Sequence, residues 1–171
     1  SRGCPYSCFN YCTYPLQQGR KVRLRSVENI IQEIKHWIKK IGTNKFVFRD
    51  PVFSINRKHT IEFCNELLKE NLNIKFAIET HLRILDSELL DLLKKSGLKA
   101  AIVGVESPNN EVLKGSNRFT IKQDDQLIKI RELEKKNIQV SSMFILGFPH
   151  DNLETMDETI NYAKKLNTTY S

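Results

Sequence analysis

Ile74-Lys75-Phe76-Ala77-Ile78, then Asp86-Ser87-Glu88-Leu89-Leu90-Asp91-Leu92-Leu93, then Lys99-Ala100-Ala101-Ile102-Val103-Gly104-Val105: the reading of this stretch decides the fold. The outer two segments are short apolar runs, as buried strands are. Between them Asp86 can cap a leucine-rich helix, and Gly97 suits its left-handed C-terminus. Strand, helix, strand in that order is the unit of a parallel α/β sheet.

The unit repeats on both sides. Lys45-Phe46-Val47-Phe48 predicts a buried strand, followed by a helix over about 58–70 with Ile61, Cys64, Leu67 and Leu68 inward. Upstream, Ser26 can cap a helix reaching about residue 40, on which Ile30, Ile31, Ile34, Trp37 and Ile38 recur at helical spacing. Downstream, a helix over 121–136, a strand over 138–146 and a helix over 153–166 complete the series. Asp50-Pro51, Ser107-Pro108 and Gly147-Phe148-Pro149 stop strands, because proline cannot extend a central one. In parallel α/β barrels the active site is built at the C-terminal strand ends, so these stops mark the expected catalytic face.

The chemistry-bearing stretch lies upstream: Cys4-Pro5-Tyr6-Ser7-Cys8-Phe9-Asn10-Tyr11-Cys12. Thiolates are the usual protein ligands of iron–sulfur clusters, and three at intervals of four bring their sulfurs onto one short loop. A structural zinc site more often uses four ligands in two pairs, and no second Cys/His pair follows. Three clustered cysteines cannot all pair as disulfides, and Cys64 sits in a helical stretch where a free thiol packs as a small hydrophobe. This usage points to a reducing, hence cytoplasmic, compartment.

The 171 residues and 40% hydrophobic content suit one domain with a sizeable core, and no apolar run approaches membrane-spanning length. A soluble protein, with no signal peptide, is the expectation. The net charge of +7 is unevenly placed: residues 1–45 hold nine Lys/Arg against Glu28 and Glu33, whereas 46–171 hold 18 basic and 18 acidic residues. Arg20-Lys21-Val22-Arg23-Leu24-Arg25 can form a strand or extended loop with one basic face. That face is either a solvated edge or an attractor for an anionic substrate or RNA. No aromatic-rich binding ribbon or nucleic-acid module supports RNA.

The cysteine loop, with Tyr11 just before the third thiol, resembles that of the radical S-adenosylmethionine (SAM) superfamily, whose pattern is Cys-x3-Cys-x2-Cys. Here three residues separate Cys8 from Cys12 where the family usually has two. Later segments resemble the family in order. Arg49-Asp50-Pro51 falls where relatives meet the SAM amino group, and Glu79-Thr80-His81 where they often carry Glu-x-Arg. Gly104-Val105-Glu106-Ser107 is similar to a Gly-Ile/Val-Glu-Ser segment near SAM, Arg118 follows where a basic residue is placed, and Gly147-Phe148-Pro149 is similar to a Gly-Leu-Pro strand end.

The resemblance implies an incomplete (β/α)6 partial TIM-type barrel of parallel strands, with residues 1–171 as its core domain, 1–25 as its cluster loop, and the first and last strands outside the chain. It implies that Cys4, Cys8 and Cys12 bind three irons of a [4Fe–4S] cluster and that SAM chelates the fourth. Tyr11, Arg49, Asp50, Pro51, Glu79, Glu106, Ser107, Arg118 and Gly147 are the implied SAM-side residues. Reductive cleavage of SAM to a 5′-deoxyadenosyl radical would follow, with electrons from a flavodoxin or ferredoxin. The wording Cys-Pro-Tyr-x-Cys is most similar to members with an upstream cobalamin-binding domain, many of them methyltransferases. A tRNA methylthiotransferase and a non-enzymatic iron–sulfur electron carrier are the alternatives.

Overall fold

The computed structural model describes residues 1–171 apart from Ser7, Phe9, Asn10 and Thr120. The residues that lengthen the loop between Cys8 and Cys12 therefore lie largely outside the described residues. Four strands, β1 (Lys45–Phe48), β2 (Lys75–Thr80), β3 (Leu98–Glu106) and β4 (Gln139–Phe144), pair in chain order, all parallel. The helices are α1 (Tyr14–Gln18), α2 (Val27–Ile41), α3 (Arg57–Lys69), α4 (Ser87–Lys95), α5 (Asn110–Gly115), α6 (Gln123–Lys135) and α7 (Leu153–Leu166). Single 3-10 turns at Phe53–Ile55 and Leu82–Ile84 follow β1 and β2.

Local chemistry starts these helices where the spacing predicts. The Ser26 hydroxyl accepts from the Asn29 amide at 3.3 Å, Asn56 from His59 at 3.0 Å and Asp86 from Leu89 at 2.9 Å. Asn152 and Thr155 satisfy each other's amides in a reciprocal capping box. Gly97 is required for a second reason besides its φ of 115°: a Cβ there would lie 2.1 Å from the Ile74 carbonyl oxygen, where the turn into β3 crosses the start of β2.

Each strand shows two unlike faces. Phe76 and Ile78 of β2, with Leu98, Ala101 and Val103 of β3, are buried with Phe63, Leu67, Leu90, Leu93 and Leu133 in one apolar core. The opposite face carries Val47, Glu79, Ile102, Gly104 and Met143, and Val47 is 60% exposed. Beyond α7 the chain returns beside β4, where the Ser142 amide donates to the Tyr170 carbonyl and the Tyr170 amide to that of Val140.

Two local expectations are adjusted, and one open alternative, strand or extended loop for 20–25, is decided for the loop. The strand expected over 138–146 is regular only for Gln139–Phe144. The short α5 was not foreseen; Asn109 starts it by accepting from Glu111 and Val112. The 20–25 segment forms no sheet strand: Arg2 and Arg23 make a single antiparallel bridge, which closes the cysteine loop at its base. The side chain of Arg23 donates to the Lys21 and Gln18 carbonyls, so part of this basic face is folded onto the loop itself.

Candidate active site

The site is assembled at the C-terminal ends of β2 and β3. Between Gly104 and Glu106 the β3–β4 register shifts, and Glu106 takes a left-handed φ of 66°, unusual for a residue with a Cβ. That backbone turn brings its carboxylate back over Gly104. A Cβ on Gly104 would sit 2.4 Å from Glu106 Oε1 and 2.7 Å from Arg118 Nη2, so only glycine leaves room for the pair. Arg118 Nη2 lies 3.2 Å from Glu106 Oε1 and donates to the Gly104 carbonyl at 2.8 Å, while Nη1 reaches Cys8 Sγ at 3.7 Å.

The electrostatics follow from burial. Desolvation pushes the Glu106 carboxyl above the usual carboxylate range, against the pull of Arg118. Burial is the largest influence on Arg118 and works against its charge, but Glu106, Tyr11 and Cys8 together outweigh it and the guanidinium is held protonated. Beside them His81 is buried, its Nδ1 accepting from the Arg83 amide at 3.1 Å. Burial, reinforced by the charges of Arg118 and Arg83, lowers its pKa to about 4, so the imidazole is neutral near pH 7. Glu79, at the end of β2, accepts from the Tyr14 hydroxyl at 3.0 Å and pairs with the Arg49 guanidinium.

The cysteine loop folds over these strand ends. Gly3 must be glycine, since a Cβ there would lie 2.1 Å from the Lys21 carbonyl oxygen. The Cys4 amide donates to Gly19 at 3.1 Å. Cys4 and Cys8 are buried, Cys12 half-buried, and all three thiols are free. Burial pushes the Cys4 thiol up, and the neighbouring sulfurs Cys12 and Cys8 push it further, while a hydrogen bond from the Tyr6 backbone opposes them.

A cavity of about 250 Å³ gathers the expected residues unevenly. Cys4, Cys8 and Cys12 line it with Tyr11, Pro51, Glu79, Glu106 and Arg118. Arg49 and Asp50 do not; Arg49 backs Glu79, and buried Asp50 takes the Ser1 amino group. Ser107 faces elsewhere: its hydroxyl is 3.2 Å from that of Thr159 on α7 and accepts from the Asn109 amide. Gly147 holds the loop before α7, its amide and that of Phe148 donating to Asp151. Arg118, an expected SAM-side residue, lines the cavity and is paired there with Glu106. Sequence reasoning passed over Tyr6, Tyr14 and Thr80, which also line the cavity. Their proximity to the thiols in sequence, or to Glu79, was the available signal.

The donor set suits a sulfur-ligated cluster with a polar ligand beside it. Three free thiols share one cavity with a guanidinium fork, and the Thr80 hydroxyl, buried in its wall, has no hydrogen-bond partner among the described residues. Among the described residues no three His, Cys, Asp or Glu side chains are grouped to hold a single metal ion. A cluster asks for one sulfur on each of three irons, so its ligands are spread around a cavity.

Comparison with known proteins agrees with this geometry. The model of the radical SAM superfamily matches residues 1–163, and the chain belongs to that superfamily. It is 31% identical over 170 residues to an anaerobic magnesium-protoporphyrin IX monomethyl ester cyclase of Rubrivivax gelatinosus, covering 98% of this chain and 30% of the relative. It is 28% identical over 171 residues to an uncharacterized methyltransferase of Pyrococcus horikoshii, covering all of this chain and 37% of that one. The chain thus spans about a third of the length of these relatives. Among solved structures, the radical SAM methyltransferase TsrM of Kitasatospora setae, with cobalamin and a [4Fe–4S] cluster bound, superposes with a TM-score of 0.86 at 19% identity. That match covers 98% of this chain and 34% of TsrM, and it establishes the fold as part of a radical SAM barrel. The superfamily uses a [4Fe–4S] cluster and SAM. No helix among the described residues is long and apolar enough to cross a membrane.

Proposed function

We propose that this chain is the catalytic core of a radical SAM enzyme in which Cys4, Cys8 and Cys12 hold the [4Fe–4S] cluster. The observation that carries this reading is the meeting of three free thiols with the Glu106–Arg118 pair in one cavity at the strand ends. When bound, cluster and SAM together supply one-electron cleavage of SAM to a 5′-deoxyadenosyl radical. The protein's own work is to bind, orient and exclude water. Arg118 offers a planar fork of donors for the SAM carboxylate, with Glu106 keeping it charged and aimed. Glu79, held by Tyr14 and Arg49, presents its carboxylate to the ligand's polar groups, and the buried Thr80 hydroxyl offers an unpartnered group in the cavity wall. Pro51 and Tyr11 close the apolar wall, Tyr11 standing edge-on to Phe148 at 5.2 Å between ring centres.

Likeness to the cyclase, the methyltransferase and TsrM supports a cobalamin-dependent reaction, methyl transfer first, with cobalamin bound by another part of the protein. A small-molecule substrate, anionic in keeping with the basic N-terminal segment, and a one-electron donor of flavodoxin or ferredoxin type complete the system.

Anaerobic reconstitution of the intact protein with iron and sulfide should give about four irons per chain. Cys12→Ala should abolish that incorporation. Recovery of stoichiometric zinc without sulfide would sink the reading. Glu106→Gln should weaken SAM binding with iron content intact; equal loss of both would mean that the fold, not the ligand contact, had failed.

A further inference from the structure

A second and larger cavity, of about 850 Å³, shares Arg118 with the thiol cavity and lies among the turn after β2, the loop after α5, and α6. Its charge is lopsided. Arg83, Lys114, Arg118, Lys122 and Lys129 line it against Asp125 and Glu132; Glu106 pairs with Arg118 and Glu111 with Lys114, so Arg83, Lys122 and Lys129 carry the excess. The Lys129 ammonium donates to the Leu85 carbonyl, a neutral acceptor that leaves its charge in place. Two large apolar side chains stand among these cations, Phe119 at 49% and Ile128 at 64% exposure. An apolar centre with a mainly basic rim is the anatomy of a protein-docking face, and solvent-facing apolar groups suit a macromolecule better than a small ion.

The face is also close to the thiols. The Arg83 guanidinium lies over the Phe119 ring, 5.0 Å from its centre. Phe119 stands edge-on to Tyr6, with 5.3 Å between ring centres, and Tyr6 lies in the loop between Cys4 and Cys8. Phe119 of the exposed patch therefore packs directly on Tyr6 of the cysteine loop.

We propose that this face docks an acidic one-electron carrier protein that reduces the cluster held by Cys4, Cys8 and Cys12. The inference rests on the function proposed above, which consumes one electron for each SAM cleaved. In the transfer the carrier is oxidised by one electron and the cluster reduced by one; no atom or proton moves between the proteins. The Arg and Lys rim accelerates encounter with a negatively charged carrier, and the apolar patch excludes water from the contact.

The test uses the intact, cluster-loaded protein and measures 5′-deoxyadenosine formed from SAM, driven by reduced flavodoxin, by reduced plant-type ferredoxin, or by dithionite. Arg83→Glu/Lys122→Glu changes two exposed cations of the face, and Lys135→Glu, at the far end of α6, controls for surface charge. The expected result is a loss of about tenfold or more with at least one carrier and a flattened salt dependence. Dithionite-driven cleavage and iron content should be unchanged, and the Lys135 variant should behave as wild type. Equal loss with dithionite and carrier at full iron content would assign the cavity to a small anionic ligand and overturn the proposal. So would an unchanged carrier-driven rate, or failure of both carriers to reduce the wild type that dithionite reduces. If dithionite itself yields no cleavage in the cluster-loaded wild type, the proposed function falls, and the docking site with it.

Discussion

Gly104 is a position where the smallest side chain leaves space that two charged ones occupy. The atoms that a Cβ would meet are the ends of Glu106 and Arg118, which can rotate away, so Gly104→Ala should fold. It should cost about 1–3 kcal/mol as overpacking does, read as a lower midpoint in chemical denaturation. SAM affinity should fall while iron content holds, since the guanidinium fork is displaced and the thiols are not. This residue-scale site was only partly legible in the sequence. The Gly104-Val105-Glu106-Ser107 segment marked the place, but not that Glu106 would take a left-handed backbone and fold back over Gly104 while Ser107 turned toward α7. The partnership of Glu106 with Arg118 depends on a register shift at the strand end and on a loop after α5. Neither leaves a periodic signal, and Tyr14 meeting Glu79 across 65 residues leaves none either.

At the scale of elements, side-chain chemistry at the helix starts made the boundaries legible. The last helix, expected over 153–166, is observed as Leu153–Leu166, and in the structure Asn152 and Thr155 fix its first turn. Asn152→Ala removes one half of that box and should lower stability by about 1 kcal/mol, with an unchanged dependence on denaturant concentration. Short elements escaped: α5 has six residues and one cap, too few for a hydrophobic period to register. The 20–25 segment alternates charged and apolar side chains as a strand does. Its outcome was decided by where the chain before it runs, which local pattern does not encode.

For the whole molecule, each strand pairs with the next in the chain; the parallel sheet was readable from alternation, and the sequential barrel order from the family resemblance. The cysteine loop is the exception to this locality. Its covering residue Arg118 lies 110 positions beyond Cys8, whereas Cys64 is buried between α3 and the strands near it in sequence. Cys64 is pushed to a pKa of about 11, chiefly by burial, and should resist alkylation at pH 8 in the native metal-free protein. In pulse alkylation during refolding, Cys64 should be protected with the core, and Cys4 and Cys8 only once β3 and α5 have docked. Half-buried Cys12 should stay reactive throughout. Simultaneous protection of all four thiols would show that the loop docks with the core.

That separation along the chain sets an order of maturation. During synthesis the three thiols precede, by about a hundred residues, the groups that shelter them, and through that interval they are open to oxygen, stray metal and one another. Delivery of iron and sulfide is therefore best timed after residues 104–118 have folded. A cell short of reducing power at that moment would accumulate a correctly folded protein whose loop had already been oxidised.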